Sequence, residues 1–312
     1  TAEMHGLLDG YLGWDGVTAQ AVGAVEMALF DIAGKTAGVP VARLLGGEPR
    51  RLPLYATGTT MFDATPDWYA HYFDRALERG IRGVKVRIGT DADAAVARTA
   101  AVREHVGAKL DVMVDAYWGY TPADALALAR RLASLRIAFF EEPSPQTDAG
   151  FADLQRDFPM PIAIGVPVYS PGQFAAYAAA GAAQVFEPDA AIAGGLRACM
   201  EVAAIAGRHG IPVIPHLGSP TAVGFAANLH WASAAGCPLV EYDIYPDLPV
   251  RDGITRDAAF AIGRIDDGMI ATPDTPGLGI EIDEAALARH PYVTGGTYAE
   301  VFPEHERPAS RA

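Results

Sequence analysis

Cysteine and basic residues are scarce in this sequence, and each scarcity excludes some classes of function. The two cysteines, Cys199 and Cys237, lie in alanine-rich stretches with no pairing pattern, which predicts reduced core residues and a cytoplasmic protein. The 24 basic against 38 acidic side chains give a formal net charge of −14. Such a charge argues against nucleic acid or an anionic membrane as partner, and no uninterrupted apolar run reaches the roughly 18 residues of a membrane span. We therefore expect a protein that acts on a small molecule.

What the sequence does contain is a series of short apolar runs, each ended by a polar residue. These runs predict buried strands, and they lie at 54–57, 83–88, 111–115, 138–141, 161–165, 183–189, 211–216 and 239–241. Helix-like stretches fill the gaps, at 67–79, 92–105, 123–134, 171–180 and 195–209. Eight repeats of strand, crossover helix and parallel strand predict an α/β fold of the TIM-barrel type, with its chemistry at the carboxyl ends of the strands.

Two segments fall outside this repeat. Residues 21–37 have apolar side chains at helical spacing and are followed by Gly38 and Pro40, which are helix stop signals. A single helix cannot bury its apolar face alone, and the segment after Val250 is the other material outside the barrel. We expect the two ends of the chain to form a small second domain.

Charged residues lie at the predicted carboxyl ends of the strands, where the barrel is expected to open. Lys85 and Arg87 are two apart on one strand and so project to the same side. Later strands end in Asp115, Glu141, Asp189 and His216. One such residue alone is usually a solvated surface group, but a set at successive strand ends of an apolar barrel indicates a site.

These groups suit the removal of a proton next to a carboxylate. Asp115 and Glu141 are hard oxygen ligands of the kind that Mg²⁺ prefers. The metal and Lys85 would neutralise the enediolate that forms when the α-proton leaves. His216, oriented by Asp189, is then the candidate base. A phosphate site is the alternative, because Gly194-Gly195 precedes a helix, although two glycines more often form a tight turn.

Seven motifs at these spacings support a family assignment: AVEMALFDIAGKTAGVPVARLLGG (24–47), VKVR (84–87), MVDAYWG (113–119), FFEEP (139–143), EPDAAIAGG (187–195), IPHLG (214–218) and VEYD (240–243). The chain resembles the enolase superfamily, and within it the mandelate racemase and muconate lactonizing group. The resemblance implies a modified TIM barrel, (β/α)7β, with an α+β capping domain, of which we expect a truncated form here. The expected division is 1–50 for part of the capping domain, 51–249 for the barrel and 250–312 for a segment returning to the cap.

The resemblance also implies roles for single residues. Asp115 and Glu141 would be metal ligands, and Lys85 a cation beside the substrate carboxylate. Asp189 and His216 would form the base dyad of the racemase-like subgroup. Glu241 would be the acid that hydrogen-bonds the enediolate.

Three departures from the family pattern shape the expected reaction. Val166 stands where the family has a third carboxylate ligand, and Glu187 on the adjacent strand is a candidate replacement that is as well placed to pair with a cation. Arg87 stands where racemases often have a second lysine base, and Arg is almost always protonated. Little sequence precedes the 24–47 helix, where the family has the substrate-contacting loops of the cap, so we expect these loops either to lie outside the given sequence or to be absent and leave the mouth unusually open.

A single base suits loss of water better than racemisation. We therefore expect a Mg²⁺-dependent lyase that dehydrates a hydroxy acid or acid sugar, with a small carboxylate as partner, neither nucleic acid nor membrane, and a homo-oligomeric assembly. The alternatives are a racemase or epimerase of the same group, and a binding protein that has lost catalysis with its third ligand.

Overall fold

The computed structural model describes residues 15–58, 65–108, 110–147, 150–218, 220–244 and 248–291. Its centre is a curled parallel sheet, and the fold is the expected modified TIM barrel. The strands are β1 (Arg51–Thr57), β2 (Gly83–Arg87), β3 (Asp111–Asp115), β4 (Ile137–Glu141), β5 (Ile162–Ile164), β6 (Val185–Phe186), β7 (Val240–Asp243) and β8 (Met269–Ala271). Strand order is β6-β5-β4-β3-β2-β1-β7, with all these neighbours parallel, while β8 pairs antiparallel with the start of β1.

Helices connect and cover the strands. They are α1 (Val17–Ala37), α2 (Val41–Leu44), α3 (Pro66–Glu78), α4 (Ala92–Val106), α5 (Pro122–Leu132), α6 (Phe151–Asp157), α7 (Pro171–Ala180), α8 (Leu196–His209), α9 (Ala222–Ala235), α10 (Pro249–Asp252) and α11 (Glu284–Leu287), with short 3-10 turns at Ala133–Leu135 and Ile262–Arg264. Side-chain caps and prolines set several starts: Thr65, Thr121 and Ser170 each accept a hydrogen bond from a backbone N–H of the first turn, just before a proline.

The run at 211–216 differs from its prediction as a strand. It forms a single parallel bridge, between Val213 and Phe186, and Ile214 N donates to Phe186 O. Pro212 and Pro215 have no N–H to donate, so this sequence cannot complete a regular ladder. The extended segment still runs beside β6 and brings its end to the mouth of the barrel.

Strand side chains alternate between two apolar regions. Tyr55, Met113, Phe139, Ala163, Val185 and Ile214 form a small cluster inside the barrel. Val84, Val86, Val112 and Val114 belong to the larger core between the sheet and the helices. This alternation follows from the two-residue period of a strand, and it turns Lys85 and Arg87 inward as expected.

The two ends of the described chain meet beside the barrel. Val41 N donates to Gly277 O, and Leu278 N donates to the carboxylate of Asp31 on α1. His230 of α9 joins the same region: its Nδ1 accepts from Ala42 N, and its Nε2 lies 3.1 Å from Leu278 O. The α1–α2 unit is thus tied both to the later segment and to a barrel helix.

Helix α1 is an exception to the expectation that no segment is apolar enough to span a membrane. By length and composition alone Val17–Ala37 could cross one. In the folded chain its inner face, which includes Val22, Met27 and the carboxylate of Glu26, is buried. Glu26 bonds to the backbone of α8, as expected of a helix that packs within a folded protein.

Candidate active site

Lys85 lies at the centre of a buried cluster of charges at the mouth of the barrel. Its ammonium contacts Glu141 at very short range, Glu241 Oε1 at 2.6 Å and Asp115 Oδ2 at 3.7 Å. All four side chains are fully buried. They come from β2, β3, β4 and β7, so parallel strand ends bring together residues that are far apart in sequence.

Arg87 and Tyr55 extend this cluster in opposite directions. Arg87 Nη1 lies 2.6 Å from Asp115 Oδ2, and its guanidinium stands 5.7 Å from the ring centre of Tyr117. Tyr55, inside the barrel, places its hydroxyl 3.4 Å from Lys85 Nζ and 3.5 Å from Glu187 Oε1. Glu187 therefore faces the same interior as the other carboxylates, as its spacing predicted.

Burial and charge set the protonation of these groups. Burial, then the charge of Asp115, raises the pKa of Glu141 to about 7 against the opposing effect of Lys85. Burial and the charge of Glu141 raise the pKa of Glu187 well above its usual value. Burial would also raise the pKa of Glu241, but Lys85 and other cations lower it to about 2. Glu241 is thus the carboxylate that Lys85 holds ionised.

His216 and Asp189, the residues predicted to form a dyad, lie next to each other. His216 Nδ1 lies 3.4 Å from Asp189 Oδ2, and both residues are buried at the end of the barrel. Burial lowers the pKa of His216, but Asp189 and the nearby charge of Glu241 outweigh it, and the net pKa is raised. Leu217 N, next to this histidine, donates to Glu241 Oε2 at 2.7 Å, which links the dyad to the carboxylate cluster.

The backbone N–H of Val166 takes part in the site. Its N–H and that of Gly165 both donate to Glu142 Oε1, at 3.1 and 2.9 Å. The other oxygen of Glu142 accepts from Trp118 Nε1 and Gln146 Nε2, both at 2.8 Å. Glu142 is fully buried and has a left-handed φ of 45°. This carboxylate ties the loops after β3 and β4 to the end of β5.

The buried carboxylate oxygens suit a divalent cation, although they are not arranged around one common position. No hydrogen-bond donor in the described part of the chain reaches Glu141 Oε1 or Glu187 Oε2, and both atoms are buried. Buried carboxylate oxygens without a donor are the kind of group a cation satisfies. Within the described ranges, no three His, Cys, Asp or Glu side chains are grouped as ligands of one ion. The ammonium of Lys85 lies among them instead, so a metal would have to displace it.

The phosphate alternative is wrong, because the chain fills that place itself. Glu26 Oε2 accepts from Arg197 N at 3.1 Å, and a Cβ added to Gly195 would lie 2.0 Å from the same oxygen. Gly195 has a φ of 108°, which favours glycine. The amides at the start of α8 thus meet a carboxylate from α1, and the two glycines leave it room.

Sequence reasoning missed three residues that shape the site. Tyr55 alternates with outward-facing neighbours on β1, a signal the strand pattern contains. Glu142 is the second carboxylate of FFEEP, and its role depends on a backbone turn that spacing does not reveal. Asn228, which bonds to Asp189, lies on α9 some 39 residues away, and nothing local marks it.

Family models match most of the chain. Residues 68–286 match the enolase C-terminal domain-like family, and residues 4–46 match the N-terminal domain of the mandelate racemase / muconate lactonizing enzyme family. Among curated relatives, a D-galactarolactone cycloisomerase of Agrobacterium fabrum is 32% identical over 291 residues, which cover 88% of this chain and 75% of that protein. An arabinonate dehydratase of Saccharolobus solfataricus is 32% identical over 288 residues, with 89% and 74% coverage.

Solved structures give the same relationship. An enolase superfamily member from Polaromonas sp. JS666 superposes with a TM-score of 0.86 at 32% identity, over 95% of this chain and 78% of that one. An enolase from Bradyrhizobium complexed with magnesium and mandelic acid has a TM-score of 0.80 at 27% identity, with 92% and 75% coverage.

Proposed function

The chain belongs to the mandelate racemase and muconate lactonizing group of the enolase superfamily, and from this premise we propose that it removes the α-proton of a hydroxy acid or acid sugar and eliminates water. Its relatives are named as dehydratases and cycloisomerases, and it is an enzyme of this lyase or isomerase kind. The observation that carries the finer proposal is the single oriented base, His216, beside two cations that remain charged.

The neutral imidazole of His216 would take the α-proton, with its other nitrogen held toward Asp189. The same imidazolium then returns that proton to the β-hydroxyl as its bond to carbon breaks. Water leaves, and the double bond forms between the α- and β-carbons, so the proton and the electron pair are both accounted for. Where the α-carbon also carries a hydroxyl, as in an acid sugar, the product is an enol, which becomes a 2-keto-3-deoxy acid.

Lys85 and Arg87 would act as fixed positive charges and not as bases. Burial lowers the pKa of each, but the surrounding carboxylates outweigh it, and both pKa values are raised above their usual ranges. They would stabilise the negative charge that develops on the substrate carboxylate. Racemisation needs a second base on the opposite face, so this pair favours elimination over the racemase alternative.

Glu241 fits the resemblance less well than the other residues do. An acid that hydrogen-bonds the enediolate must have a proton to donate, whereas Lys85 helps to lower the pKa of this carboxyl to about 2. As the site stands, Glu241 accepts from Leu217 N and pairs with Lys85. We propose that it orients Lys85 in the resting site.

A magnesium ion is part of the proposal. Asp115, Glu141 and Glu187 would hold it: Glu141 and Glu187 supply the buried oxygens described above, Asp115 lies beside them at the end of β3, and one similar protein is complexed with magnesium. When bound, such an ion neutralises charge on the substrate carboxylate and so acidifies the α-proton. The proposed cytoplasmic location and homo-oligomer remain predictions, the latter open to light scattering.

Cycloisomerisation is the second candidate, favoured by the relatives that bear this name. It uses the same proton removal, but a ring oxygen leaves in place of a free hydroxyl. The two reactions differ in mass balance, because only dehydration releases water. Mass spectrometry of products from a panel of acid sugars and sugar lactones, with and without Mg²⁺, distinguishes them.

The test of the common step is His216→Asn, with the exposed His209 changed to Asn as the matched control. We expect turnover and exchange of the α-proton with deuterated solvent to fall together by about 10²–10⁴-fold in the first variant. The control should retain both. Exchange that survives in His216→Asn would require another base and would contradict the one-base proposal.

A further inference from the structure

Asn228 is a buried amide that contacts the dyad and has all its hydrogen-bonding groups in use. It lies in the middle of α9 and is fully buried. Its Nδ2 donates to Asp189 Oδ1 at 2.8 Å and to Gly224 O at 3.0 Å. Its Oδ1 accepts from Ala190 N at 3.0 Å and from Trp231 Nε1 at 2.6 Å. With two donors and two acceptors matched, only one orientation of this amide satisfies every partner.

The two carboxylate oxygens of Asp189 have different partners. Oδ1 accepts from Asn228 Nδ2 and from Ala191 N, both at 2.8 Å. Oδ2 is the atom that faces His216 Nδ1. Because Oδ1 has two strong partners, rotation of the carboxylate away from this position would break two hydrogen bonds. Asp189 is therefore held with Oδ2 toward the histidine.

The same amide also fixes the backbone next to Asp189, through its bond to Ala190 N. Trp231 in turn fixes the amide from one helical turn further along α9. A rigid helix thus supports the start of the loop at 189–195, to which the carboxylate belongs.

We infer that Asn228 is a positioning residue that holds Asp189 so that His216 keeps its proton on Nδ1 and presents a free Nε2 to the substrate. This inference rests on the proposed function for its catalytic meaning, but its structural content does not. A neutral imidazole whose Nδ1–H faces a fixed carboxylate oxygen is held in one tautomer. Loss of the amide would free Asp189 to rotate and let the other tautomer form.

The experiment compares Asn228→Ala with Ser233→Ala. Both remove a buried polar group from α9, and Ser233 bonds to Thr272, away from the dyad. Long-range proton–nitrogen spectra of histidine-labelled protein, in alkaline buffer where the imidazole is neutral, report the tautomer of His216. The His216→Asn variant identifies its signal. Unfolding in urea shows how much stability each variant loses.

We expect wild-type protein and Ser233→Ala to show the Nδ1–H tautomer, and Asn228→Ala to show a mixture. With a substrate in hand, kcat should fall about 10–100-fold in Asn228→Ala, the usual cost of losing an outer support of a reactive group, while KM changes little. Trp231→Phe removes one bond to the amide and should shift the tautomer in the same direction by less. It serves as the test if Asn228→Ala does not fold.

An unchanged tautomer in Asn228→Ala and Trp231→Phe would overturn the inference and leave Asn228 a structural residue. A lost Nδ1–H preference would support it even if no dehydration is ever found, because the spectra need no turnover. Failure of the proposed function and failure of this inference are therefore separate results.

Discussion

Replacing Lys85 with Met tests whether the buried charge cluster depends on its central ammonium. Methionine keeps most of the side-chain volume but removes the charge that faces Glu141, Glu241 and Asp115. Removing one partner of a buried ion pair costs about 3–5 kcal/mol, because the remaining charge has no compensation. We expect Lys85→Met to lose stability in this range at neutral pH.

Lys35 provides the matched control. It forms an ion pair of 2.6 Å with Asp31 on the surface of α1, and 55% of its side chain is exposed. Exposed pairs contribute about 0–1 kcal/mol. Lys35→Met should therefore unfold close to the wild-type urea concentration, while Lys85→Met unfolds well below it.

Magnesium makes the experiment more specific. The removal of Lys85 leaves space among carboxylates, so Mg²⁺ should stabilise Lys85→Met more than it stabilises wild-type protein. A free concentration 100 times the dissociation constant would return about 2.7 kcal/mol. Equal unfolding midpoints for Lys85→Met and Lys35→Met in chelator would refute the cluster. A loss of stability that Mg²⁺ does not reduce would refute the cation site.

Two further changes test separate parts of the molecule. Val166→Glu should tighten Mg²⁺ binding measured by calorimetry, because it adds a carboxylate at the end of β5; unchanged affinity would mean that Glu187 already fills this role or that the new side chain points away. Burial lowers the pKa of His230 to about 4 against the opposing effect of its bond to Leu278 O, and Ala42 N donates to its unprotonated Nδ1. The unfolded chain takes up a proton first, so stability should be lost as pH falls from about 6.5 to 4, by up to ~3 kcal/mol. In His230→Gln, the free energy of unfolding should depend less on pH over this range. An unchanged pH dependence would contradict the assignment of this loss to His230.

The sequence was sufficient for the barrel because its signals were local. Apolar runs and intervening helical patterns are properties of neighbouring residues, and they located seven of the paired strands to within a few residues. The 211–216 run failed as a regular strand for a reason also visible in the sequence, since its two prolines cannot donate to a ladder. The apolar pattern cannot show whether such an irregular segment still lies beside its neighbouring strand in the barrel.

The site, too, was predictable only in part. The rule that parallel strands end on one face was enough to predict that Lys85, Asp115 and Glu141 lie together. It could not predict that Lys85 would take the centre of the carboxylates, since that depends on side-chain reach and charge balance. It also could not find Asn228, because a helix residue far along the chain reaches Asp189 only through the packing of α9 on the barrel.

Val166 and Glu187 are best understood together, since Val166 directly follows the residue that lies beside Glu187. Ile164 pairs with Phe186, so Gly165 lies beside Glu187, and a Cβ on this glycine would come within 1.9 Å of Glu187 O. The carboxylate that the family pattern has at position 166 is absent, while an adjacent strand supplies one that points inward from one level deeper. Whether a metal binds is then decided by how far Glu187 reaches and how readily Lys85 yields, and not by Val166 alone.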